Sequence, residues 1–104
     1  MAAEKQTVRV ELKRKAEKQV DRESDAVFDA FYDMVEKIQD MTLEEVMRDK
    51  GLDFEKARGR EAEKLWTCRI TKSWRAVCLL KTGPIVEILM IWDPDEAHSV
   101  RRRR

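Results

Sequence analysis

The chain has 104 residues, 42% hydrophobic and 41% charged, with a formal net charge of +1. That length holds one domain with a modest core and excludes a two-domain enzyme. The longest apolar run, Ile88 to Trp92, is far too short to span a bilayer, and the charged first ten residues hold no apolar signal region, so a cytoplasmic protein is expected.

Thr7 to Leu12 alternates Val8, Val10 and Leu12 with polar residues, the period of a strand. Leu12, Ala16 and Val20 then recur every fourth position and predict a short helix with a thin apolar stripe. Ser24 is placed to cap a second helix, with Asp25 in its first turn favoured by the helix dipole. Val27, Phe28, Phe31, Met34, Val35, Ile38 and Met41 recur at three and four, which marks a core stripe. Asp29, Asp33, Glu36, Lys37 and Asp40 fill the solvated face. Thr42 with Glu45 three positions on, and Gly51 as a stop, predict a short third helix. Residues 53–63 are polar with one glycine and are expected to form a connecting loop. Strands are predicted over 65–71, 74–81 and 85–92. Lys72-Ser73 makes the first turn between them, and Thr82-Gly83-Pro84 the second, where Gly83 supplies a positive φ.

The order implies an α+β fold: an N-terminal strand, a two-helix hairpin, then an antiparallel three-strand meander with the helices on one sheet face. Alternation puts Trp66, Cys68 and Ile70 toward the long helix, with Arg69 and Arg75 sharing the open face beside Val77 and Leu79. Residues 1–100 are expected to be a single domain and 101–104, four arginines, a basic tail that is either a solvated terminus or a nucleic-acid-seeking arm. Cys68 and Cys78 belong to no CxxC or Cys/His cluster, so buried free thiols are expected and no metal. Phosphate-binding glycine loops and Ser-His-Asp patterns are absent, and no cofactor is implied.

The string Leu65 to Leu80, with the later Asp95-Glu96-Ala97-His98, resembles the RelE/ParE toxin superfamily of bacterial toxin–antitoxin systems over nearly the whole chain. Its most specific part, Trp66, Thr67, Arg69, Ile70, Thr71 and Arg75, looks like the YoeB-type branch of ribosome-dependent mRNA interferases. Asp53 to Gly59 looks like the loop that precedes it in that family, without its Pro-Leu pair. The resemblance implies a RelE-like fold, a cognate antitoxin, and cleavage of mRNA on the ribosome by attack of a ribose 2′-hydroxyl on the neighbouring phosphate. It assigns Arg75 as the phosphate clamp, Glu55 as general base and His98 as general acid, with Arg69 as an RNA contact; Lys72, a further cation of the same stretch, is a candidate RNA contact by its charge.

Each residue also has a plainer reading: Arg75 paired to Glu87 across the sheet, Glu55 solvated in a charged loop, and Trp66 in the core rather than stacked on a base, while Trp74, beside the turn, is left open between the two. No tyrosine lies beside His98, and Asp93, Asp95 and Glu96 make that end acidic. These departures point toward a ParE-like gyrase-inhibiting toxin or a non-catalytic RelE-like binding module. An antitoxin segment of acidic and apolar residues would suit the open sheet face.

Overall fold

In the structure, a computed structural model, residues 6–57 and 64–93 are described. The elements in chain order are β1 (Arg9–Leu12), α1 (Arg14–Asp21), α2 (Asp25–Gln39), α3 (Leu43–Arg48), β2 (Glu55–Lys56), β3 (Leu65–Arg69), β4 (Arg75–Lys81) and β5 (Ile85–Trp92).

Local chemistry accounts for the starts of α2 and α3. Ser24 Oγ accepts from the Val27 N–H at 3.3 Å at the head of α2. Thr42 and Glu45 form a reciprocal capping box on α3: Thr42 N–H donates to Glu45 Oε1 at 2.9 Å, and Glu45 N–H to Thr42 Oγ1 at 3.2 Å. The stop of α3 differs from the expectation. The helix ends at Arg48, and Asp49, rather than Gly51, organises the turn by accepting the Leu52 N–H at 2.8 Å on its carboxylate. Lys37 holds the same Oδ2 at 2.9 Å. This Lys37 hydrogen bond, then that from Leu52, lowers the Asp49 pKa below its ordinary value. The stabilisation is therefore present above the ordinary carboxylate range and lost as pH falls through the depressed value.

The sheet is larger than a three-strand meander. Its order is β1-β5-β4-β3-β2, with β1 parallel to β5 and the other pairs antiparallel. Within the stretch expected to be loop, Glu55 and Lys56 pair with Thr67 and Trp66 and add an edge strand. The predicted strand 65–71 stops at Arg69, because Ile70 and Thr71 already donate to the Trp74 carbonyl to close the turn. Gly83 does supply the positive φ of the β4–β5 hairpin, at 131°.

The helices cover one sheet face. Ala16 and Val20 of α1 and Val27, Phe31, Met34, Val35 and Ile38 of α2 pack into one core with Cys68, Ala76, Cys78, Val86, Ile88 and Ile91. Cys68 Sγ lies 3.5 Å from Met34 Sδ, which ties β3 to α2. Both cysteines are buried free thiols. The Cys78 pKa is raised, first by its hydrogen bond with Cys68 and then by burial.

A register shift between Val77 and Cys78 breaks the alternation of β5 against β4. Val77 pairs with Met90 but Cys78 with Ile88, so one residue of β5 is extra. Val86, Ile88 and Ile91 all reach the core, and Met90 and Trp92 turn to the open face opposite Val77 and Arg75. Glu11 lies opposite Glu87 in the β1–β5 pair, a repulsive placement relieved by Lys81, which reaches both at 3.3 and 3.7 Å, and by Lys13 at 3.3 Å from Glu87. Glu87 therefore pairs with these lysines, and Arg75 finds other partners.

Pairing of β1 with β5 ends at Leu12 and Ile88, and α1 supplies the next contact. Gln19 of α1 receives the Ile91 N–H on Oε1 at 2.8 Å and donates Nε2 to the Ile91 carbonyl at 3.1 Å, so its amide acts as a short extra strand. Gln19→Ala leaves that half-buried N–H without a partner, and a loss of about 1–3 kcal/mol is expected by urea denaturation. A loss below about 0.5 kcal/mol would show that water replaces the amide at no cost.

Candidate functional site

The open-face ends of β3 and β4 meet the loop that leaves α3, and the charged residues of this end converge there. Arg69 and Arg75 are directly opposite each other across β3 and β4. Two adjacent guanidiniums repel unless something negative lies between them, and Asp53 does so. Its Oδ2 is 3.1 Å from Arg75 Nη1 and 3.6 Å from Arg69 Nη2.

Arg75 is the most constrained side chain in the cluster. Its Nε donates to Thr67 Oγ1 at 3.1 Å, and its Nη2 to the Asp53 carbonyl at 2.6 Å and the Thr67 carbonyl at 3.5 Å. Glu55 Oε2 lies 3.8 Å from the same Nη2. The Arg75 side chain is only 15% exposed, whereas that of Glu55 is 64% exposed. One group is thus locked in the sheet and the other free to move toward a ligand from the short β2 edge.

Glu55, Lys56, Ala57, Thr67, Arg75 and Trp92 line a cleft of about 280 Å³. Its ingredients are a fixed guanidinium, an adjacent carboxylate, a lysine and an indole that is 41% exposed. A fixed cation beside a solvated carboxylate is able to hold a phosphate and take a proton from a group next to it. An open indole offers a base a stacking surface. Set against this, the two arginines are matched by two carboxylates, so the immediate cluster carries no net charge.

Of the residues singled out from sequence, Glu55 and Arg75 share the cleft, while Arg69 joins them only through Asp53 and does not line it. Lys72 is exposed on the β3–β4 turn and does not line the cleft, and His98 lies outside the described residues, as does the 101–104 tail. Trp66 is on the helix-facing side with its ring 6.4 Å from that of Phe54, and Trp74 packs on the core; neither borders the cleft. Sequence reasoning missed Asp53, Thr67 and Trp92. Alternation alone places Thr67 with Arg69 and Arg75. Trp92 needs the β5 irregularity, and Asp53 is joined to Arg75 only by the fold.

No protein-family model and no curated protein matches the chain. Solved structures do. RelE in the archaeal RelE–RelB complex from Pyrococcus horikoshii OT3 superposes with a TM-score of 0.63 at 20% identity, covering 84% of this chain and 94% of that one. The toxin–antitoxin complex RelBE2 from Mycobacterium tuberculosis gives 0.64 at 15% identity, over 82% and 95%. The YoeB/ParE toxin from Agrobacterium tumefaciens gives 0.61 at 13% identity, over 82% and 96%. The chain has the fold of the RelE/ParE toxins.

Proposed function

We propose that this chain is the toxin of a type II toxin–antitoxin pair and cleaves mRNA held on the ribosome. The observation that carries the reading is the contact of Arg75 with Glu55 in one cleft, on a sheet of RelE type. In the reaction, Glu55 takes the proton of a ribose 2′-hydroxyl, whose oxygen attacks the adjacent phosphorus. Arg75 stabilises the added negative charge on the phosphate oxygens. The P–O5′ bond breaks, leaving a 2′,3′-cyclic phosphate and a 5′-hydroxyl once an acid returns a proton; His98 is the proposed donor. Trp92 provides the stacking platform that orients a base beside the cleft. The open cleft and its exposed Glu55 do little to immobilise RNA by themselves, so the ribosome supplies the alignment.

The partner is an antitoxin segment lying on the open sheet face, where Val77, Leu79, Ile85 and Met90 are half-buried next to charged Lys81 and Arg9. The charge balance around Arg75 favours a second reading, a toxin that acts by binding gyrase.

Purified protein added to programmed ribosomes is expected to generate new 5′ ends at the A-site codon, while free mRNA is cut poorly. Intact mRNA together with blocked gyrase supercoiling would transfer the chain to the second reading. Inactivity in both assays would leave a non-catalytic binding module.

A further inference from the structure

Asp53 has features that a solvated loop aspartate does not need. Among the described residues it is the only non-glycine with a positive φ, 47°. A Cβ disfavours this left-handed conformation, which glycine adopts freely. The backbone around it is nevertheless anchored on both sides. Asp53 N–H donates to the Asp49 carbonyl at 3.1 Å, and the preceding Leu52 carbonyl accepts the Arg69 N–H at 2.7 Å. From this fixed point Asp53 reaches Arg75 twice, with its carbonyl at 2.6 Å and its carboxylate at 3.1 Å, and extends the carboxylate to Arg69. Asp53 is not among the residues lining the cleft, whereas its partners Arg75 and Thr67 are.

We propose that Asp53 is a positioning residue: its carbonyl and carboxylate, with Thr67, set the plane and depth of the Arg75 guanidinium and tie Arg69 to it. Arg75 is then a preorganised donor to an anionic oxygen in the cleft, and Arg69, which does not line the cleft, is tied to it through the shared carboxylate. The carboxylate lowers the local positive charge, which weakens attraction for phosphate in the ground state. In return it removes the rotational freedom of the guanidinium, and preorganised donors act without reorganising as charge develops. Aspartate tolerates this left-handed conformation better than most residues with a Cβ, and here it also brings a carboxylate to the arginine pair. The substrate in this proposal rests on the ribonuclease reading, but the positioning does not.

Two variants separate the roles. Asp53→Gly keeps the carbonyl, relieves the backbone and removes the carboxylate. Asp53→Asn keeps shape and an acceptor oxygen while removing the charge. Nitrogen-15 NMR of the Arg75 guanidinium reads its rotation directly, and titration with inorganic phosphate reads anion binding at the same signals. The wild type is expected to show separate Nη1 and Nη2 resonances. Asp53→Gly is expected to average them in a protein that stays folded by circular dichroism, and Asp53→Asn to keep them separate. On programmed ribosomes kcat is expected to fall about tenfold to a hundredfold in the glycine variant, with KM changed less than about twofold, and to recover largely in the asparagine variant. Unaltered Arg75 resonances and phosphate response in Asp53→Gly would overturn the proposal. A wild type that leaves mRNA intact would sink the ribonuclease reading alone, since the NMR comparison still decides the positioning.

Discussion

Arg75→Ala is expected to slow mRNA cleavage on programmed ribosomes by about a hundredfold to a thousandfold, the range for removal of one preorganised charge-stabilising donor. The expectation follows from the bonding of the guanidinium, which is held by Thr67 and Asp53 and faces the cleft beside Glu55. Loss of stability is a separate effect. The Asp53 side chain is 36% exposed and rehydrates when its partner is removed, so the cost is at the low end for broken charged hydrogen bonds, about 1–2 kcal/mol. The protein remains folded, as circular dichroism would verify. Arg75→Lys is a sharper probe, because a lysine retains the charge but cannot fork between Thr67 and Asp53. It is expected to remain at least about tenfold slow. Full activity in the lysine variant would show that any cation suffices at this place, and activity in the alanine variant would remove Arg75 from the chemistry.

Phe31→Ala is expected to cost about 3–5 kcal/mol of folding stability. Phe31 is fully buried at the centre of the α2 stripe, with its ring edge-on to Tyr32 at 5.0 Å. It belongs to the core cluster that joins α1 and α2 to the sheet, so its removal leaves a cavity in that core. In a domain of this size that loss is a large fraction of the total. Urea denaturation followed by tryptophan fluorescence measures it. A midpoint displaced by less than the equivalent of about 1 kcal/mol would mean that the core relaxes around the hole.

Patterns confined to one segment are legible in the amino-acid order alone. The α2 stripe, its Ser24 cap, the Thr42 capping box and the strand 85–92 all depend on neighbours within four residues, and each is present, except that Phe28, expected in the stripe, is 38% exposed with its ring 4.9 Å from that of Tyr32. What sequence does not reveal depends on distant partners. Glu55 and Lys56 are both charged and exposed, and they form a strand only because Thr67 and Trp66 offer a free edge. The extra residue in β5 has no turn or glycine signature, yet it decides that Trp92 borders the cleft. Arg69 and Arg75 fall on one face by simple alternation, so their association is legible. Their shared carboxylate is not: Asp53 is 22 positions from Arg75 and in a stretch that reads as plain loop. Glu87, the cross-sheet partner suggested by charge alone, is instead held by Lys13 and Lys81.

The parallel pairing of β1 with β5 joins the first of the described strands to the last, and the Gln19–Ile91 clamp spans 72 positions. At translation rates of about 5–20 residues per second, roughly 4–14 s separate synthesis of these two residues. During that interval α1 and α2 have emerged without the β5 surface they cover, and Trp92, one wall of the cleft, does not yet exist. Such non-local closure also makes folding slower than in a helical bundle of equal length. A growing chain therefore carries no working cleft, and any activity that the cleft confers begins only after β5 has been made and has inserted between β1 and β4.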